Sequence, residues 1–167
     1  MTFFKSLAKS FYYAFRGLAM MIKKERNFRI HITVIFYVVL FAFFYGLDRT
    51  QTAVLVLTFF TVPSLEIVNT AIEKIVDLKS PGYNRLAGII KDISAASVLF
   101  ASITAVVVGL CLFGEKERFL SAIRVVFTPP WLIIIAVSLV PAYLFVSGGI
   151  RKKRKNKITE HKKTEKV

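Results

Sequence analysis

Residues 52–77 of this 167-residue chain, TAVLVLTFFTVPSLEIVNTAIEKIVD, are the most informative about its fold. Its first part carries no charge up to Leu65, and a helix needs about 20 mainly apolar residues to cross a bilayer. Its second part places Glu66, Glu73 and Asp77 among Ile and Val residues. At about 100° per residue, Glu73 and Asp77 each lie about 20° from Glu66. The stretch therefore predicts a membrane-spanning helix with an acidic face.

Similar apolar runs occupy the rest of the chain. Residues 30–47 contain His31 but no Asp, Glu, Lys or Arg, and residues 93–113 and 131–150 carry no charge. Because 55% of the residues are hydrophobic, an ordinary soluble domain is excluded. We therefore predict an all-α membrane protein with four transmembrane helices.

The remaining segments predict the parts outside the membrane. In residues 1–29, apolar side chains recur at steps of three and four with Lys and Arg between them. This favours an amphipathic interfacial helix, although the same stripe would also serve packing against the bundle. Residues 114–130 form the extracytoplasmic connection to the fourth span. Residues 151–167 are rich in Lys, which predicts a disordered basic tail.

The location of the charges predicts the orientation in the membrane. The net charge of +14 would suit nucleic-acid binding in a soluble protein, but in a membrane protein the position of each Lys and Arg matters more. Basic residues gather before the first span, after the second span and in the tail. We therefore expect no nucleic-acid partner, and expect both termini and the loop of residues 78–90 in the cytoplasm.

Small side chains line one face of the third span. Ser97, Ala101, Ala105 and Gly109 recur every four residues, and such ridges let helices approach closely in lipid. The ridge predicts a packing face within or between subunits. The single cysteine, Cys111, lies in the same span, so no disulfide can form within the chain.

The acidic face predicts chemistry at the membrane surface. An acid in hydrocarbon costs at least about 2.5–3.5 kcal/mol, so such residues usually have a function; the alternative is a structural ion pair with Lys or Arg. Glu73 suits Mg²⁺, which binds carboxylates together with substrate phosphates. Glu66, deeper in the bilayer, could accept the proton of a lipid hydroxyl. The pattern suits a lipid kinase, and no P-loop motif is present.

Two motifs carry a family resemblance. EIVNTAIEKIVD, residues 66–77, and KDISAA, residues 91–96, closely resemble the prokaryotic diacylglycerol kinase family. ERNFRIH, residues 25–31, looks like its undecaprenol-kinase branch. The resemblance covers about residues 9–113. It implies an interfacial N-terminal helix and a three-span core at residues 30–113, assembled as a homotrimer with active sites between subunits. The fourth span, residues 131–150, lies outside it.

The resemblance also implies roles for individual residues. Glu66 would be the catalytic base, Glu25 and Glu73 would bind the Mg²⁺ that accompanies ATP, and Asn69 would support them. The residues that would line the nucleotide site are Tyr13, Glu25, Glu73, Asp77, Gly82, Tyr83, Asn84, Lys91 and Asp92. Two positions depart from the family pattern, because Asn84 replaces a usual His and Pro63 precedes the base by three residues.

The implied activity is transfer of the ATP γ-phosphate to undecaprenol at the inner leaflet of a bacterial cell membrane. Diacylglycerol is the alternative acceptor, since the same base and metal would phosphorylate any accessible primary hydroxyl. A carboxylate-based ion transporter is less consistent with the sequence, because the acids of the spans all lie towards the cytoplasmic side. An inactive scaffold is disfavoured by the complete set of candidate residues.

Overall fold

The computed structural model describes the backbone of residues 2–164 and the side chains of residues 4–148. Over these residues the secondary structure is entirely helical: α1 Thr2–Lys24, α2 Arg26–Tyr45, α3 Arg49–Lys79, α4 Arg85–Leu112, α5 Lys116–Val126 and α6 Pro129–Thr164. In this part of the chain, four segments are long and apolar enough to cross a membrane: Arg26–Tyr45, Arg49–Lys79, Arg85–Leu112 and Pro129–Gly148. The prediction of an all-α, multi-pass membrane protein is confirmed.

The chain divides into two compact units, Met1–Ile30 with Val137–Val167, and His31–Ala136. In the first unit, α1 leaves the aromatic side chains of Phe4, Phe11 and Phe15 exposed. Such exposure of a helix with basic residues between its aromatic ones suits the headgroup region of a bilayer. The interfacial position of α1 therefore stays a prediction that its surface supports.

In the second unit, α3 and α4 form an antiparallel hairpin joined by a short turn. Of the predicted ridge on α4, Ala101 is buried, whereas Ala105 is half-buried and Ser97 is exposed. The buried side chains of α4 are those of Ser94, Val98 and Ala101. The ridge therefore contributes to the buried face of α4 at Ala101, and its wider role in packing stays a prediction.

The start of α3 is defined by its cap. Gly46 has a φ of 73°, a value that favours glycine, and it turns the chain after α2. Asp48 then accepts a hydrogen bond from the Gln51 backbone at 2.8 Å, and the Gln51 side chain accepts one from the Asp48 backbone at 3.1 Å. This capping box satisfies backbone donors at the helix end. Helix α3 then continues through Pro63 to Lys79 without interruption.

An aromatic cluster closes the end of the hairpin opposite Asp77. The ring of Phe113 lies 5.1 Å from that of Tyr45 and 5.2 Å from that of Phe41. Phe119 on α5 adds a further ring, 5.5 Å from Phe41. The hydroxyl of Tyr45 accepts a hydrogen bond from the Glu115 backbone at 3.2 Å. Aromatic side chains are enriched at membrane–water interfaces, so this cluster suits a membrane surface.

Residues 114–130, predicted as the connection to the fourth span, contain the helix α5. Its inward face carries Phe119, Ala122 and Ile123, of which Ala122 is 1% exposed. Its outward face carries Glu117 and Arg124. The apolar side chains of Phe119, Ala122 and Ile123 stabilise the helix by packing on the aromatic cluster. This tertiary contact cannot be read from the mixed charges of residues 115–124.

Helix α6 extends beyond the predicted fourth span, residues 131–150, whereas its apolar membrane-spanning part is Pro129–Gly148. Pro129 opens α6, where a proline in the first turn costs no hydrogen bond. The backbone remains helical to Thr164, whereas disorder was expected for residues 151–167. Lys, Arg and Glu are good helix formers, and neither Gly nor Pro occurs between residues 151 and 164. Residues 165–167 lie outside the described part of the chain.

Candidate active site on the α3–α4 hairpin

The three acids of α3 lie at different depths along one helical face. Glu66 is 4% exposed, Glu73 is half-buried and the Asp77 side chain is 61% exposed. Their spacing of seven and four residues keeps them on the same side of the helix. The face therefore runs from the interior of the protein to its surface, as the sequence predicted.

Asn69 connects α3 to α4 by hydrogen bonds. Its side-chain amide donates to Glu73 Oε1 at 3.1 Å, one turn further along α3. Its oxygen, Oδ1, accepts a hydrogen bond from Ser94 Oγ on α4 at 2.6 Å. Both Asn69 and Ser94 are buried. Asn69 therefore contacts the candidate metal ligand Glu73 directly, and its supporting role stays a prediction.

Lys91 forms an ion pair with Asp77 near the exposed end of the hairpin. Lys91 lies on the second turn of α4, opposite the last turns of α3. The ammonium group carries three donors, so it can contact Asp77 and another acceptor at the same time. The pair brings two predicted nucleotide-site residues together.

The turn between α3 and α4 contains the next group of predicted residues. Gly82 and Tyr83 are exposed, and Tyr83 is 99% accessible. Asn84 caps α4, since its Oδ1 accepts hydrogen bonds from the backbone of Leu86 at 2.9 Å and of Ala87 at 3.2 Å. Asn is a preferred helix cap, a signal that the sequence analysis did not use. The predicted nucleotide contact of Asn84 stays a prediction.

The other predicted residues have separate positions. Asp92 is exposed on α4, next to Lys91. In the unit that contains α1, Tyr13 is exposed and Glu25 occupies the joint between α1 and α2. The backbone N–H of Glu25 donates to Met21 O at 2.9 Å, which continues the helical hydrogen bonding across the joint. Glu25 thus lies where the interfacial helix turns into the first span.

A Mg²⁺ ion fits the donor chemistry of α3. Within the described residues, no three or more His, Cys, Asp or Glu side chains gather as a self-contained metal site. Mg²⁺ seldom requires one, because it usually takes one or two carboxylates, waters and substrate phosphates. Glu73 provides a hard carboxylate, and Asn69 engages only its Oε1. The arrangement suits a metal that arrives with a nucleotide.

Ser94 is a site residue that the sequence reasoning did not single out. It belongs to the KDISAA motif, residues 91–96, and follows Lys91 by three residues, which places both on one side of α4. Its hydroxyl also lies 2.9 Å from the Lys91 carbonyl oxygen. The helical spacing could have indicated this position, whereas the contact with Asn69 depends on how α3 and α4 pack.

The chain is similar to known membrane enzymes over this part. The sequence model of the family described as "Prokaryotic diacylglycerol kinase" matches residues 12–113. A diacylglycerol kinase of Synechocystis is 44% identical over 108 residues, covering 64% of this chain and 62% of that relative. An undecaprenol kinase of Bacillus subtilis is 33% identical over 108 residues, covering 65% of this chain and 88% of that relative.

A third relative, a diacylglycerol kinase of Escherichia coli strain K12, is 32% identical over 106 residues, covering 64% of this chain and 87% of that relative. The α3–α4 hairpin and Glu25 lie within the matched residues 12–113. Helix α5 and the fourth span lie beyond them.

Proposed function

The chain belongs to the prokaryotic diacylglycerol kinase family, a family of lipid kinases, and we propose that it transfers the γ-phosphate of ATP to a primary hydroxyl of a membrane lipid. The observation that carries this proposal is the face of α3 on which a buried Glu66 precedes a half-buried Glu73 and an exposed Asp77. A lipid hydroxyl approaches from the bilayer and ATP approaches from water. On this face, Glu66 would serve the lipid hydroxyl and Glu73 would serve the Mg²⁺ that accompanies ATP.

Glu66 is the proposed catalytic base. The lipid hydroxyl oxygen forms a bond to the γ-phosphorus, while the bond from that phosphorus to the β,γ-bridging oxygen breaks and ADP leaves. The hydroxyl proton passes to a Glu66 carboxylate oxygen. Burial of Glu66 supports this assignment, because it keeps the carboxylate out of bulk water.

Glu25 and Glu73 are the proposed ligands of Mg²⁺, with the nucleotide phosphates completing the coordination. When bound, the ion would neutralise charge on the phosphates. Asn69 holds Glu73 Oε1 and leaves Oε2 to face a cation. Lys91 would contact phosphate oxygens as a point charge while keeping its contact with Asp77. Tyr13, Gly82, Tyr83, Asn84 and Asp92 are the proposed remainder of the nucleotide site.

We further propose a homotrimer that shares its active sites between subunits, in which residues 30–113 form the core of each subunit. Large apolar side chains such as Phe100 and Ile103 on α4 are exposed, which suits contact with lipid or with another copy of the chain. The basic flanks of the spans support placing both termini, and Asp77, on the cytoplasmic side.

Two acceptor lipids are candidates. Diacylglycerol is supported by the 44% identity to the Synechocystis diacylglycerol kinase. Undecaprenol, the acceptor expected from the sequence, is supported by the segment ERNFRIH at residues 25–31 and by the 33% identity to the Bacillus subtilis undecaprenol kinase. Both candidates carry a primary hydroxyl, so we propose a membrane lipid with a primary hydroxyl as the acceptor.

The test is transfer of ³²P from [γ-³²P]ATP by the purified full chain in bilayer nanodiscs, with diacylglycerol and undecaprenol supplied separately at equal mole fraction. Labelled phosphatidic acid or undecaprenyl phosphate is the expected product, and the larger kcat/KM identifies the acceptor. Absence of label from both lipids in the presence of Mg²⁺ would overturn the proposed activity.

A further inference from the structure

We propose that Ser94 is a positioning residue that fixes the orientation of the Asn69 side chain, and through it the carboxylate of Glu73. The inference rests on the proposed function, since it assigns Glu73 to the metal. It concerns a hydroxyl that does not itself touch substrate. The contacts form a chain from α4 to α3: Ser94 Oγ to Asn69 Oδ1 at 2.6 Å, then Asn69 Nδ2 to Glu73 Oε1 at 3.1 Å.

Hydrogen-bonding chemistry defines the direction of each bond. An ionised carboxylate only accepts hydrogen bonds, so Asn69 must present its NH₂ group to Glu73. Its carbonyl oxygen then faces Ser94 and carries no hydrogen. Two oxygens 2.6 Å apart need a hydrogen between them, so the Ser94 hydroxyl donates to Asn69. The Lys91 carbonyl, 2.9 Å from Ser94 Oγ, is a second acceptor for the same hydroxyl.

Burial makes this orientation matter. Asn69 is 6% exposed and Ser94 is 7% exposed, so water does not readily replace a lost partner. Without the hydroxyl, Asn69 Oδ1 would be left buried without this donor. Rotation of the amide by half a turn would place that oxygen against the carboxylate of Glu73, where two acceptors repel. Ser94 therefore stabilises the amide orientation that Glu73 requires, and it restricts the movement of the Asn69 side chain.

The Ser94 hydroxyl connects the site residues of α4 to those of α3 by a hydrogen bond. Ser94 lies on α4 with Lys91, the proposed phosphate contact, and Asn69 lies on α3 with Glu73, the proposed metal ligand. Partners that orient a metal ligand commonly change metal affinity or activity by about 10–100-fold when they are removed. The predicted effect of losing Ser94 is therefore on the Mg²⁺ requirement rather than on the acceptor lipid.

The experiment compares Ser94→Ala, Ser94→Cys and Ser94→Thr with wild type in nanodiscs. Ser102→Ala is the matched control, because the Ser102 hydroxyl donates to the backbone of its own helix, to Val98 O at 2.8 Å.

We measure the Mg²⁺ concentration for half-maximal rate, the KM for lipid, and Mg²⁺-dependent ATP binding without acceptor. We expect Ser94→Ala to raise the Mg²⁺ requirement at least about tenfold, Ser94→Cys to raise it less, and Ser94→Thr to stay near wild type.

A double-mutant cycle tests whether Ser94 acts through Asn69. If it does, Ser94→Ala adds nothing further to the Mg²⁺ requirement of Asn69→Ala, whereas independent roles would give additive effects. Additive effects, or a Ser94→Ala variant that matches Ser102→Ala, would overturn the inference. A wild-type chain that binds Mg²⁺-ATP but phosphorylates neither lipid would overturn the proposed function instead, and the binding measurement would still test Ser94.

Discussion

The side-chain amide of Asn69 donates a hydrogen bond to Glu73 Oε1 at 3.1 Å, one turn further along α3. This contact orients a carboxylate that is half-buried between the interior and the surface of the hairpin. The same face of α3 carries Glu66 and Asp77 on either side of Glu73.

Glu73→Gln should weaken Mg²⁺-dependent ATP binding by about tenfold or more, because an amide replaces an anionic ligand of a hard cation. Equilibrium binding of a fluorescent ATP analogue, titrated with Mg²⁺, measures the change. Glu117→Gln on α5 is the control, since that exposed acid lies on a different helix outside the site. Equal Mg²⁺ dependence in the two variants would remove Glu73 from the metal site.

Lys91→Ala should raise the KM for ATP about tenfold, equivalent to about 1.4 kcal/mol, because the phosphates lose a cationic contact. Its effect on the melting temperature should be small: the Lys91 side chain is 37% exposed and that of Asp77 is 61% exposed, and exposed ion pairs contribute about 0–1 kcal/mol. Steady-state kinetics and thermal unfolding provide the two measurements, with Lys116→Ala as control. A large loss of stability at unchanged KM would assign Lys91 a structural role.

Asn84→Ala should lower the free energy of unfolding by about 1 kcal/mol, the typical cost of losing a helix cap. Asn84→Ser keeps a capping oxygen and should stay close to wild type. Thermal unfolding followed by circular dichroism tests both variants, and the KM for ATP shows whether the side chain also contacts nucleotide. An Asn84→Ser variant as unstable as Asn84→Ala would mean that the cap does not determine stability here.

The orientation in the membrane can be tested with single cysteines in a Cys111→Ser background. Ser121→Cys on α5 should react with an impermeant maleimide added to intact cells, whereas Ser80→Cys in the α3–α4 turn should react only after permeabilisation. Labelling of the two positions in the reverse order would place Asp77 on the extracytoplasmic side and contradict access to cytoplasmic ATP.

Several features of the fold were predictable from composition and spacing. Apolar runs of about 20 residues indicated the spans, and the steps from Glu66 to Glu73 and Asp77 placed the acids on one face. Small residues at Ser97, Ala101 and Ala105 indicated a packing face, and Ala101 is buried in the structure. These features depend on the spacing of residues along one helix, which can be read from the sequence without knowledge of the tertiary structure.

Other features depend on contacts between distant residues. Helix α5 is stabilised by Phe119 packing on Phe41, and these rings are far apart in the chain. The bond from Ser94 to Asn69 likewise joins residues 25 positions apart. No periodicity specifies the register in which α3 and α4 pair, so the hydrogen-bond partner of Asn69 could not be derived from its neighbours in sequence.

The turnover of Glu66→Gln beside wild type, measured with [γ-³²P]ATP and each acceptor lipid in nanodiscs, shows whether Glu66 is the catalytic base. Removing a general base typically lowers the rate about 10²–10⁴-fold, so we expect a loss of that size with Mg²⁺-ATP binding retained. Glu117→Gln serves as the carboxylate control and should keep wild-type turnover. Unchanged turnover in Glu66→Gln would contradict the assignment of the catalytic base and the account of the acidic face built on it.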